Sequence, residues 1–397
     1  MGNIRNVPNA RTEHPAGKKK KRARIQYFDY SLLAVIIFLM CFGLVMLFSA
    51  SSYGAMIKYG DSMYYFKRQI AFCALGLAAM YVVIHIDYHF YVRYAKLLYW
   101  IAFVLMLLVQ TPFGVEANGA RRWLKLPLLP QFQPAEVTKI AIILFIPLLI
   151  CQMGKAAHSG KGMLRTFLWG LFAAGSVLFL TDNLSTAIIV MGICCVLIFV
   201  VHPKTAPFMV LITGGIVAAA FFVMSMSSMI GNAGEIENFR LRRIVVWLDP
   251  ESFASDWGYQ TLQGLYAIGS GGFFGKGLGN SAQKMVIPEA QNDMILSIIC
   301  EELGVFGALI VLTLFGILLY RLMFIAQNAP DIYGALIATG IFAHIAIQVI
   351  LNVAVVTNTI PNTGITLPFI SYGGTSILFL MAEMGIALSI SRKIKLD

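Results

Sequence analysis

Apolar runs of about twenty residues, divided by short polar turns, recur along almost the whole of this 397-residue chain. A helix needs about 20 residues, at about 1.5 Å each, to cross the hydrocarbon core of a bilayer. The chain is 58% hydrophobic and 12% charged, whereas an average soluble domain has about 45–50% apolar and about 25% charged residues. A soluble fold could not bury so many apolar runs and still present a polar surface. The expected fold is therefore all-α, a polytopic membrane protein with ten spans near 31–50, 69–86, 97–113, 136–153, 165–181, 184–201, 207–229, 298–320, 332–356 and 366–391.

Lysine and arginine orient these spans, because short cytoplasmic loops carry the positive charge. Arg93 and Lys96, then Lys155, Lys161 and Arg165, then Lys204, Arg321 and finally Arg392, Lys393 and Lys395 fall in alternate connections, on the side of the basic N-terminal tail. Both termini are expected in the cytoplasm, which requires an even number of spans. The chain then divides into a basic tail, 1–29, and a membrane domain, 30–397. Three polar stretches face outward: 114–135, the long loop 230–297 between the seventh and eighth spans, and 357–365.

The net charge is +11, of which the first 25 residues contribute +7 through Arg5, Arg11, Lys18, Lys19, Lys20, Lys21, Arg22 and Arg24 against Glu13. Directly before a span, such a tail suits anionic lipid and topology rather than nucleic acid. Cys41, Cys73, Cys151, Cys194, Cys195 and Cys300 lie in or beside apolar segments without metal-ligand spacing, as small core residues do. The first run is a full span with no small-residue cleavage site, so no cleavable signal peptide is expected.

The outward stretches hold the chemistry-bearing residues. The first contains Asn118-Gly-Ala-Arg121-Arg122-Trp123 and then Phe132-Gln-Pro-Ala-Glu136-Val-Thr-Lys139. Arginines beside a tryptophan suit either interfacial anchoring or substrate contact. Pro134 fits the first turn of a helix, and Glu136 and Lys139 then face each other at i and i+3. In the long loop, Arg240, Arg242 and Arg243 form either a solvated charge cluster or an anion patch, since the guanidinium fork binds two oxygens of a phosphate. The run Ala267-Ile-Gly-Ser-Gly-Gly-Phe-Phe-Gly-Lys276-Gly-Leu-Gly279 does not match the G-x-x-x-x-G-K-[S/T] nucleotide loop. A bent, close-packed segment is expected there.

Pro288-Glu289-Ala-Gln291-Asn292-Asp293 then leads into apolar sequence and Glu301-Glu302-Leu-Gly304. Asp293 stands where loop meets membrane and has two readings, a helix cap or a base in a wet cavity. Gln348 and Asn352 lie one turn apart on the ninth span, ahead of Pro361-Asn-Thr-Gly364 and Leu367-Pro-Phe-Ile-Ser371-Tyr-Gly-Gly374. Prolines and glycines in apolar sequence mark a broken helix and with it a cavity. His344 and Glu383 are polar groups within spans, where hydrogen bonding inside the bundle is the commoner role.

Taken in order, these segments resemble the SEDS family (FtsW/RodA/SpoVE) of bacterial shape, elongation, division and sporulation proteins, from about residue 30 to 391, with more of FtsW/SpoVE than of RodA. The resemblance implies a peptidoglycan glycosyltransferase that polymerises lipid II beside a class B penicillin-binding protein and other divisome or elongation proteins. It implies a catalytic role for Asp293. Two departures stand out: the family has His-Thr where this chain has Gln291-Asn292, and a Pro-Asp-x-Gly-Thr stretch appears here as Asp182-Asn-Leu-Ser-Thr186.

The expected chemistry follows from a lipid-linked sugar diphosphate, which already carries its leaving group. Asp293 would take the proton of the acceptor hydroxyl. Arg122, Arg240, Arg242, Arg243 and Lys276 would stabilise the diphosphate, with a divalent cation (Mg2+ or Mn2+) as a further candidate. Arg121, Trp123, Glu136, Lys139, Glu289, Gln348, Asn352 and Ser371 complete the expected substrate contacts. A lipid II flippase would need the same head-group contacts, and a non-catalytic scaffold for a synthase is a third reading.

Overall fold

The computed structural model describes residues 27–117, 120–127, 130–227, 239–255 and 258–395; the basic tail through residue 26 lies outside them. Before the long loop run α1 (Tyr30–Tyr59), α2 (Tyr64–His85), α3 (Phe90–Val109), α4 (Pro134–Met153), α5 (Gly160–Thr181), α6 (Leu184–Val201) and α7 (Ala206–Ser227). The loop holds α8 (Phe239–Leu248) and α9 (Tyr259–Gly271). After it come α10 (Ile295–Asn328), α11 (Ile332–Val356) and α12 (Ser376–Ser391). Among the described residues, eight helices (α1 to α6, α10 and α11) are long and apolar enough to cross a membrane. α7 occupies the expected seventh position, and α12, at 16 residues, the expected tenth.

Two expectations are corrected. The first outer stretch is not purely loop, because β1 (Gly114–Ala117) and β2 (Ala120–Leu124) pair antiparallel with Val115 opposite Trp123. The tenth span does not begin at 366: Pro368 lacks an N–H, and Phe369 and Gly374 take positive φ of 63° and 48°. Helix therefore starts only at Ser376. The apolar stretch from Ile365 to Tyr372 instead lines protein, which is where irregular backbone at membrane depth is tolerated.

The core lies on α4 and α11. Each is 67% buried across its apolar window, against 28–44% for the other six long helices. A helix that is apolar on every side belongs inside a bundle, and α4 matches this from Ala141 to Ile150, which are buried without interruption. Pro134 sits in its first turn as expected.

One end of the bundle gathers the connections that the charge pattern put together. Asp29 caps α1 by accepting from Leu32 N at 2.9 Å, and it also takes Arg321 of α10 through Nε and Nη2 at 2.8–3.1 Å. Its own N–H reaches Ser391 Oγ at the end of α12 (3.4 Å). Lys393 pairs with Asp87, between α2 and α3, at 2.9 Å. The start of α1 and the end of α12 thus share one face.

Candidate functional site

At the opposite end the ordered loops enclose a cavity of about 700 Å³. Asp293 is on its wall, 8% exposed. It does not cap α10: the capping position is Met294, without a side-chain bond. The Asp293 Oδ1 instead accepts from Gln260 Nε2 of α9 (3.2 Å), and Gln260 Oε1 accepts from Asn362 Nδ2 (3.2 Å). Burial pushes the Asp293 carboxyl up to about 6, against the opposing effects of Arg243 and the Gln260 hydrogen bond, while Glu289 adds to the rise. A carboxylate near this value is poised to take a proton around neutral pH.

The backbone around it is stapled by α11. Asn352 Nδ2 donates to the carbonyls of Asp293 (2.9 Å) and Ile365 (2.7 Å), tying the turn before α10 to the broken segment before α12. Ser371 Oγ accepts from Leu367 N (2.8 Å), closing the turn that breaks the tenth span. Both side chains were expected at the substrate. The structure places them behind the cavity wall, where their hydrogen bonds go to backbone.

The cations converge as expected only in part. Arg122, Arg243 and Lys139 line the cavity, together with Trp123, Glu136, Glu289 and Gln348. Arg243 donates to Asn362 O (3.1 Å) and Arg122 to Asp182 O (3.0 Å). Burial and then the charge of Arg122 lower the pKa of Arg243, so an anionic occupant would be favoured there. Lys139 pairs with Glu136 at 2.9 Å, both buried, in the i, i+3 arrangement read from the sequence. Arg121 turns instead to Glu116 (3.7 Å), on the solvated side of the hairpin. Arg242 does not line the cavity, and the side chain of Arg240 lies outside the described residues.

Lys276 is also elsewhere, and the glycine-rich run explains why. Lys276 N and Gly277 N donate to the carbonyls of Glu301 and Glu302 (both 2.9 Å), while Val305 N and Phe306 N return bonds to Gly272 O and Phe273 O. The run docks edge-on against α10 at Gly304, whose φ of 70° interrupts that helix. The Lys276 ammonium is thereby carried to Glu301 Oε1 at 2.7 Å. N–H groups already spent on carbonyls cannot cradle a phosphate, which agrees with rejecting a nucleotide loop.

Arg68 of α2, Gln260, Asn362 and Tyr372 are among the cavity residues that were not put forward as site residues from the sequence. Asn362 and Tyr372 stand inside the quoted Pro361 and Leu367 segments, which was a usable signal. Nothing local marks Arg68 or Gln260. Gln291 and Asn292, where the family has His-Thr, both donate to Glu289 Oε2 at 3.0 Å rather than to Asp293. In the other departing stretch, Asp182 adopts a left-handed φ of 48° and Asn183 caps α6 through Thr186 N (3.0 Å). Among the described residues no group of three or more His, Cys, Asp or Glu could hold a metal ion.

The family model FTSW_RODA_SPOVE, described as a cell cycle protein, matches residues 30–396. The chain belongs to the FtsW/RodA/SpoVE family. Stage V sporulation protein E of Bacillus subtilis (strain 168) is 38% identical over 92% of this chain and 97% of its own. A probable peptidoglycan glycosyltransferase FtsW of Geobacter sp. (strain M18) is 32% identical over 94% of this chain and 99% of its own. Two solved structures share the fold at 26% identity, each covering 93% of this chain. One, from a study of the structural coordination of polymerization and crosslinking by a peptidoglycan synthase complex, has a TM-score of 0.74 and is covered over 99% of its length. The other, the rod shape determining protein RodA of Thermus thermophilus, has a TM-score of 0.63 and is covered over 98%. The FtsW/RodA/SpoVE similarity thus spans the cavity, the broken segment before α12 and the glycine-rich dock alike.

Proposed function

We propose that this chain is a peptidoglycan glycosyltransferase, joining lipid II disaccharide units at the outer face of the bacterial cytoplasmic membrane. The observation that carries this reading is Asp293, a buried carboxylate with its pKa near 6 on the wall of a cavity that also presents Arg122, Arg243 and Lys139. The printed names of the FtsW relatives support the same activity.

In this mechanism the acceptor 4-hydroxyl gives its proton to Asp293 as its oxygen attacks C1 of the donor sugar. The O–C1 bond forms on one face while the C1–O bond to the diphosphate breaks on the other, inverting C1. The electron pair leaves on the diphosphate, whose charge Arg122 and Arg243 stabilise electrostatically. Gln260 keeps the carboxylate aimed, and its hydrogen bond favours the ionised form. A divalent cation, if one takes part, would arrive with the diphosphate, and no step depends on it.

A class B penicillin-binding protein is the partner that fits this reading, supported by the similarity to a peptidoglycan synthase complex. Cytoplasmic termini fit the basic residues gathered where α1 begins and α12 ends. The test is Asp293→Asn in purified protein supplied with lipid II in detergent. General-base assistance is worth about 10²–10⁴ in rate, and a loss of that size is expected with the fold retained. Near-native glycan synthesis by the folded variant would sink the base assignment. A native protein that moves lipid II across vesicles without making polymer would instead identify a flippase.

A further inference from the structure

Two ionisable groups lie deep inside the helices and are untouched by the mechanism above. His344 of α11 is fully buried, and Glu383 of α12 is 1% exposed. An ionisable residue in the interior of a membrane helix is costly and usually functional. Here the two form one end of a hydrogen-bonded line that runs to the cavity. His344 Nδ1 lies 2.7 Å from Glu383 Oε2, His344 Nε2 lies 2.9 Å from Gln348 Oε1, and Gln348 Nε2 donates to Thr366 O at 3.0 Å. Gln348 and Thr366 both line the cavity.

The polarity of this line is forced from one end. A backbone carbonyl can only accept, so the Gln348 nitrogen must face Thr366 and its oxygen must face the imidazole. His344 Nε2 therefore carries a hydrogen. Nδ1 and the Glu383 carboxyl then share one proton, and the pair is neutral overall whether that proton rests on nitrogen or on oxygen. The Gln348 amide has two N–H donors and Thr366 uses one. The second belongs to the same nitrogen, on a side chain that lines the cavity.

We propose that His344, itself held by Glu383, is a positioning residue: it locks the Gln348 amide so that its remaining N–H is presented to an acceptor oxygen of the bound lipid-linked sugar diphosphate. Without His344 the amide keeps only its anchor on the Thr366 carbonyl, and it swings about that one bond instead of holding its second N–H toward the substrate atom. The line also ties α11 and α12 to the broken segment between them, at the level of Thr366. The inference rests on the transferase reading for its substrate.

The experiment compares native protein, His344→Phe, Gln348→Met, Glu383→Leu and Glu383→Gln in polymerisation of lipid II, with KM and kcat determined separately. It adds direct lipid II binding by each change made on an Asp293→Asn background. Loss of one hydrogen bond to substrate is worth about tenfold. His344→Phe, Gln348→Met and Glu383→Leu are each expected to raise KM and weaken binding about tenfold, with kcat changed less than about threefold. Glu383→Gln restores KM, because its amide can donate to Nδ1 and preserve the hydrogen on Nε2. A merely structural role would lower the yield or melting temperature and leave the KM of the folded fraction alone.

Unchanged KM and binding in folded His344→Phe overturn the proposal, and so does a collapse of kcat in Glu383→Gln, which would indicate proton transfer. If His344→Phe does not fold, Gln348→Met decides by the same two readouts. Binding of undecaprenyl diphosphate separates the sources of the oxygen. Weakening there as well assigns it to the diphosphate, and weakening confined to lipid II assigns it to the sugar. Should the native protein make no polymer, the transferase reading falls by itself, and the binding series still tests the lock.

Discussion

Asp293 shows how a carboxylate can be buried and still remain useful as a base. Three groups work against the desolvation: its own backbone N–H, then the Arg243 charge, and more weakly the Gln260 amide at 3.2 Å, each favouring the ionised form. The sign of a pH effect follows. A base must be deprotonated to act, so kcat/KM is expected to fall as pH drops through about 6, the value for Asp293. Gln260→Ala removes a bond made to the charged form and moves that acid limb upward. The fold loss should be greatest at and below about pH 6 and should shrink toward pH 8. A parallel drop at every pH would assign Gln260 to the fold alone. Asp293 was visible in sequence because an acid at the edge of an apolar run is conspicuous. Gln260 was not, because it reaches Asp293 from a different helix, and no local pattern encodes that meeting.

At the scale of elements, the glycine-rich dock is a close backbone fit outside the cavity. A Cβ on Gly275 would lie 2.2 Å from Glu302 O, and one on Gly304 would lie 2.2 Å from Phe273 O. Both residues also have positive φ, 79° and 70°. Gly275→Ala and Gly304→Ala are each expected to destabilise by about 1–3 kcal/mol from backbone strain alone, more with the overlap, read as a lower melting temperature in detergent. Gly269→Ala meets nothing within 4 Å, and in a helix it should be neutral or slightly stabilising. The glycine spacing indicated close packing, but the side on which Lys276 would emerge depended on the dock itself. Charge alone assigned Lys276 to the substrate, and geometry gave it to Glu301.

Across the whole molecule, the two ends of the bundle have separate tasks. One end is clamped by Asp29, which holds Arg321 at 2.8–3.1 Å while capping α1. Asp29→Ala leaves Arg321 without this partner and α1 without its cap, so a loss of about 3 kcal/mol is expected. A thermal melt of the purified variant measures it, and folded Asp29→Ala should keep the native KM because the cavity is at the far end. That cavity is assembled around α4 and α11, the two helices most fully enclosed by the rest. Sequence by itself determined the helical membrane class, the order of the long apolar helices and the position of the acid, because lipid sets the length of an apolar run and penalises a charge wherever it stands. It overran the tenth span, because hydropathy counts side chains and does not see the φ of 63° at Phe369 that stops the helix. Only tertiary structure decided which cations meet Asp293, which polar groups staple backbone behind it, and that His344 and Glu383 connect to its cavity through Gln348. Each of these is a hydrogen bond or an ion pair between distant segments, and its direction exists only once the helices have packed.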